Sequence, residues 1–169
     1  MKNIFTVFIL LFAATSYGQI KSVTLQASGL TCSMCSRAIY KSLQKVPSVD
    51  KVQEDIEHSS YHIQFKDSRN ISLIDLKKAI IDAGFSVARM EITADFKNEP
   101  VGIDSTLKLN DLVFHFVDIS NQTLNGEQKL LVLDKDYLLE KERKKYAVSG
   151  EKDFNSSTAG NYYVTLSKS

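Results

Sequence analysis

Cys32 and Cys35 are the only cysteines in a chain of 169 residues, and just two residues separate them. They sit in Gly29-Leu30-Thr31-Cys32-Ser33-Met34-Cys35, where a strand-like pattern gives way to a helical one. Two thiols so spaced at a strand-to-helix turn can point at one atom. The positive end of the helix dipole lowers their pKa and favours the thiolate. Thiolates are soft ligands and select Cu(I) among biological ions. Structural zinc takes four ligands, and the chain has no second Cys-x-x-Cys. Two-coordinate, near-linear binding suits Cu(I) and leaves it open to attack by a third thiolate, a route for passing the ion on. The same pair allows two other readings: a structural disulfide in an interaction module, or a thiol-disulfide oxidoreductase with its cysteines at a helix start. Against the redox enzyme, the motif lacks a flanking Trp and an internal Pro. Beyond the leader the only prolines are Pro47 and Pro100.

Other chemistry-bearing side chains are sparse. His58 and His62 flank the polar turn Glu57-His58-Ser59-Ser60, and His58 is the better placed to act as a third ligand. His115, within Val113-Phe114-His115-Phe116-Val117, belongs on the outer face of a strand. Arg37, Lys41 and Lys45 recur every four residues along the first helix, a basic stripe suited to docking an acidic partner. The C-terminal half shows no catalytic constellation, and Tyr137, Tyr146, Tyr162 and Tyr163 read as packing residues. The chain reads as non-enzymatic.

The elements that position these residues follow from periodicity. Ile20–Ala27 alternates as a strand. From Ser33, apolar residues at Ala38, Ile39, Leu43 and Val46 mark an amphipathic helix that Pro47 stops. Val49, Val52 and Ile56 form a second strand, and Tyr61, Ile63 and Phe65 a third. Ser72 caps a second helix carrying Leu73, Leu76, Ile80 and Ile81, and Gly84 ends it. Phe85, Val87, Met90 and Ile92 supply a fourth strand. The order βαββαβ is the ferredoxin-like arrangement, with both helices on one face of an antiparallel sheet. It brings the cysteine loop, the Glu57–Ser60 turn and the Gly84-Phe85 turn to one end. Residues 94–100 (ADFKNEP) read as a linker, so the α+β chain divides into residues 19–93 and 101–169. In the second part, strands over Gly102–Leu109, Leu112–Ile119 and Lys129–Asp134 are followed by a helix over Asp136–Tyr146. Strands at Tyr146–Val148 and Tyr162–Leu166 finish it, with Asn125-Gly126 as a hairpin signal. The order βββαββ fits a small OB-like barrel.

Residues 1–18 read as a signal peptide: Lys2, an apolar run from Ile4 to Ala14, and Ser16-Tyr17-Gly18 before the cut. The expected destination is the periplasm or the medium, with no membrane anchor left after cleavage. Without Lys2 the chain carries 20 basic against 20 acidic residues, a balance that argues against non-specific nucleic-acid binding.

Over Ile20 to Ile92 the chain resembles the heavy-metal-associated domain of copper chaperones and copper-transporting ATPases. The family's G-M-T-C-x-x-C stands here as Gly29-Leu30-Thr31-Cys32-Ser33-Met34-Cys35, with Leu30 for Met, and its A-G-Y or A-G-F ending as Ala83-Gly84-Phe85. The resemblance implies that Cys32 and Cys35 are the metal ligands, that Thr31 supports them, and that Phe85 packs beneath the loop. It implies Cu(I) as cargo, with Zn, Cd and Hg as further thiophilic candidates. The partner would be a metal-donor or metal-acceptor protein with thiolate or Met/His ligands.

Overall fold

A computed structural model describes residues 18–30, 33–146 and 160–167. Residues 1–17 of the expected leader, and Thr31 and Cys32 of the loop, lie outside the described residues.

Strands β1 (Gln19–Ser28), β2 (Val49–Asp55), β3 (Ser60–Phe65) and β4 (Ser86–Val101) and helices α1 (Ser33–Gln44) and α2 (Leu73–Asp82) follow in the expected βαββαβ order. The strands lie side by side as β2-β3-β1-β4, every pair antiparallel. Alternation sends Val23 and Leu25 of β1, Tyr61 and Ile63 of β3, and Met90 and Ile92 of β4 into the core, all fully buried. Ile39 and Leu43 of α1 and Leu73, Leu76 and Ile80 of α2 pack into the same cluster. The Ser72 hydroxyl accepts the Asp75 N–H at 3.2 Å and caps α2. At the other end Gly84 takes φ +88°, and the N–H groups of Gly84 and Phe85 donate to the carbonyls of Ile81 and Ile80. That paired bond closes the helix and aims the chain back into the sheet.

The second half departs from expectation. The stretch read as a linker, residues 94–100, is the second half of β4, which runs for 16 residues. Ala94 and Phe96 are buried there, so alternation continues beneath a polar composition. The extended β4 offers a pairing edge to β7 (Gln122–Val132), from Glu91↔Leu131 to Val101↔Gln122. Beyond β7 come β8 (Asn161–Leu166), β6 (Leu112–Phe116) and β5 (Thr106–Leu109). Among the described residues the OB-like barrel does not form: their sheet stays open, with β2 and β5 at its edges. The Asn125-Gly126 pair is no hairpin turn either. It lies inside β7, where Lys97 and Asn98 of β4 oppose Asn125 in a bulge, with Asn98 and Gly126 both at positive φ.

The helix expected over Asp136–Tyr146 shrinks to α3 (Glu140–Arg143). Tyr137 and Leu138 are buried, the Tyr137 N–H closes a turn on the Asp134 carbonyl at 3.1 Å, and Leu138 bridges to Arg89 while the Leu139 N–H donates to the Ala88 carbonyl at 2.9 Å, so these residues are tied to β4 instead of starting the helix. Tyr146 ends a turn rather than starting a strand, and Ala147 and Val148 lie outside the described residues. One core runs through both halves: Phe96, Phe114, Leu130, Tyr137 and Tyr162 belong to the cluster that holds Ile39, Leu43 and Leu76. Among the described residues no helix is long and apolar enough to cross a membrane.

Candidate metal centre

β1 delivers the loop. Ser28 at its end is pinned to Ser86 at the start of β4, hydroxyl to hydroxyl at 2.5 Å. Gly29 then turns the chain at φ +80°, in space where a Cβ would meet nothing within 4 Å, so conformation alone favours glycine. Leu30, standing where the resembled motif has Met, packs against the core. Cys35 lies in the first turn of α1, half-buried, on a helix whose first turn carries no acidic residue to oppose the dipole. Met34 beside it is 82 % exposed.

The turn that joins β2 to β3 reaches this end. The Ala27 N–H donates to the Ser59 carbonyl at 3.1 Å, and the Gln26 side-chain amide to the His58 carbonyl at 2.9 Å. His58 is exposed, and its ring Nδ1 is 2.8 Å from Asp55 Oδ2. That hydrogen bond, with the charges of Asp55 and Glu57, raises the imidazole above the ordinary histidine value and lowers Asp55 below the ordinary carboxylate value. The pairing leaves Nε2 as the ring nitrogen open to a metal, and the tendency to stay protonated opposes a cation there. His62 bonds Thr24 through Nδ1, and His115 bonds Thr106 on the outer face of the second half. Phe85, half-buried, packs against the core directly after the α2 terminus. Among the described residues no group of three or more His, Cys, Asp or Glu could hold a metal ion.

Arg37 and Lys41 are exposed along α1, and Lys45 is exposed one residue past its end. Lys41 and Lys45 share a groove with α2, whose wall contributes Lys78 and also Asp75 and Asp82. Acidic neighbours thus share the groove with Lys41 and Lys45, while Arg37 lies closest in sequence to Cys35.

Two residues that the sequence reading passed over as chemistry stand behind Cys35. Ser36 is 3 % exposed and Tyr61 fully buried. The Ser36 hydroxyl lies 2.9 Å from the Tyr61 hydroxyl, which donates to the Ser36 carbonyl at 3.2 Å. Burial raises the phenol above the ordinary tyrosine value; the Ser36 bond works against this, and negative charge at Glu54 and Cys35 adds to it. The signal was present: Ser36 is a polar residue three before Ile39 and seven before Leu43, squarely on the apolar stripe.

The family model for the heavy-metal-associated domain matches residues 24–86. The mercuric transport protein periplasmic component of Shigella flexneri is 35 % identical over 86 residues, which are 50 % of this chain and 93 % of that protein. Copper chaperone CopZ of Bacillus subtilis (strain 168) is 32 % identical over 66 residues, 39 % of this chain and 94 % of the chaperone. Oxidized MerP from Ralstonia metallidurans CH34, a crystal structure, aligns with 37 % identity over 40 % of this chain and 96 % of its own, at a TM-score of 0.37.

Proposed function

The chain belongs to the heavy-metal-associated domain family, and from that premise we propose that it is an exported carrier of one soft metal ion, held by the Cys32 and Cys35 thiolates and handed to a partner protein. The observation that carries this reading is the position of Cys35 in the first turn of α1, where the helix dipole favours a thiolate. Cu(I) is the cargo that two thiolates suit best, and copper is named in one relative. Hg(II) is the second candidate, since mercuric transport is named in another. Thr31 and Phe85 support the loop, and His58 stays outside the coordination sphere. Release to the periplasm or the medium, behind a cleaved leader, accords with the periplasmic relative. The partner presents its own thiolate or Met/His ligands. It docks on the end of the molecule where Met34, Ile56 and Ile81 are exposed, with Arg37 and Lys41 steering an acidic surface onto it.

The experiment is a Cu(I) titration, by competition with a chromophoric chelator, of the reduced protein without its leader and of its Cys32→Ser/Cys35→Ser variant. The expected result is one tight equivalent in the first and none in the second, because a serine hydroxyl is a hard ligand protonated at neutral pH. Equal binding by both would overturn the assignment.

A further inference from the structure

We propose that Tyr61 is a positioning residue for the metal loop: through a reciprocal pair of hydrogen bonds with Ser36 it fixes, against the sheet, the α1 turn that carries Cys35. The proposal rests on the reading of Cys35 as a ligand and goes beyond it by naming what holds that ligand in place.

Ser36 directly follows Cys35, and its side chain lies within the inward stripe of α1, 3 % exposed. The Tyr61 hydroxyl donates to the Ser36 carbonyl at 3.2 Å. The Ser36 hydroxyl, 2.9 Å from the phenol oxygen, therefore supplies its own proton to that contact. Both hydroxyl protons are then used, that of Tyr61 on the Ser36 carbonyl and that of Ser36 on the phenol oxygen. Such a closed polar unit in an apolar core specifies geometry more than a methyl contact of the same area. Tyr61 is itself immobile. It lies on β3, paired with Leu25 on one side and Glu54 on the other, and is fully buried. The bonds thus tie the first turn of α1 to an interior strand of the sheet, 25 residues further along the chain.

This matters because two ligands define a site poorly. Four ligands impose their own geometry on an ion and on each other. A pair of thiolates leaves their separation to the protein, so any freedom in the turn bearing Cys35 is paid for in affinity when the ion binds. Phenylalanine at 61 would keep the packing and remove both bonds.

The test uses the full reduced chain without its leader, Cu(I) as the probe, and three variants: Tyr61→Phe, Ser36→Ala and the two combined. Cu(I) affinity is read by competition with a chromophoric chelator, and the stability of the metal-free protein by thermal melting. Tyr61→Phe is expected to weaken Cu(I) binding about tenfold, the size of one or two net hydrogen bonds. The combined variant removes both hydroxyls of the pair and leaves neither without its partner, so its melting temperature returns towards the wild-type value while the tenfold loss of affinity remains. That separation of affinity from stability is the signature of positioning. Wild-type affinity in Tyr61→Phe, or affinity regained together with stability in the combined variant, would overturn the proposal. Failure of the underlying assignment would look different: wild-type protein and its double Cys→Ser variant would bind Cu(I) alike.

Discussion

His58 is where charge and position pull in opposite directions. The β2–β3 turn brings it to the metal end, yet Asp55 occupies Nδ1 at 2.8 Å and keeps the ring inclined to its protonated form. A protonated imidazole donates and cannot ligate. His58→Ala is therefore expected to leave Cu(I) affinity within about twofold of wild type, because the proposed site holds the ion by two thiolates; a tenfold loss in a competition titration would make the imidazole a ligand. Gly84 makes a conformational demand instead. Its φ of +88° lies in open space, so Gly84→Ala meets no clash and costs only left-handed strain, about 1–2 kcal/mol, read as a lower midpoint in urea unfolding. An unchanged midpoint would mean that the α2 terminus can close in another way.

At the scale of elements, the first half was legible and the second much less so. The βαββαβ pattern of residues 20–92 carries clean signals: a stripe ended by Pro47, a serine cap at Ser72, a glycine stop at Gly84. Each acts locally, so each survives folding. Asn98 and Gly126 mislead because their tolerance of positive φ is used in a bulge between paired strands rather than in a turn, and only tertiary pairing decides between the two. The charged run around α3 reads as helix until the burial of Tyr137 and Leu138 overrides propensity. Asp134 was likewise invisible as a buried group. It is fully buried, one carboxylate oxygen accepts the Tyr163 N–H at 2.8 Å, and the other has no partner among the described residues. Burial pushes its pKa up to about 7, well above the ordinary carboxylate value and against the Tyr163 bond. The folded state thus binds this proton more tightly than the unfolded chain does. Its contribution is fully present below about pH 4 and is lost as pH rises through about 7. Urea unfolding at about pH 5 and about pH 8 should show the protein less stable at the higher value, and Asp134→Asn should flatten that difference. A slope unchanged by the substitution would place the titrating group elsewhere.

The described residues form one open sheet whose main core cluster runs through both halves, which changes what truncation should do. We expect residues 19–93 to fold and bind Cu(I), because they retain four strands and two helices, but to melt below the full chain. Ending at Thr93 removes Phe96 from the core and uncovers the β4 edge that β7 occupies. Residues 101–169 should not fold alone, since β7 would lose its long partner. Circular dichroism and thermal melts of both fragments check this; a cooperative melt from residues 101–169 would contradict it. On this account the residues after Val101 brace β4 through its pairing with β7.

The claim on which all of this depends is that two sulfur atoms, and nothing else, hold the ion. Extended X-ray absorption at the copper edge of the Cu(I)-loaded, reduced protein measures it directly. The expected spectrum contains two sulfur neighbours in the first shell and no imidazole scattering, and it vanishes in Cys35→Ser because the protein no longer retains copper. A first shell containing nitrogen with the outer pattern of histidine, or copper retained without Cys35, would contradict the account.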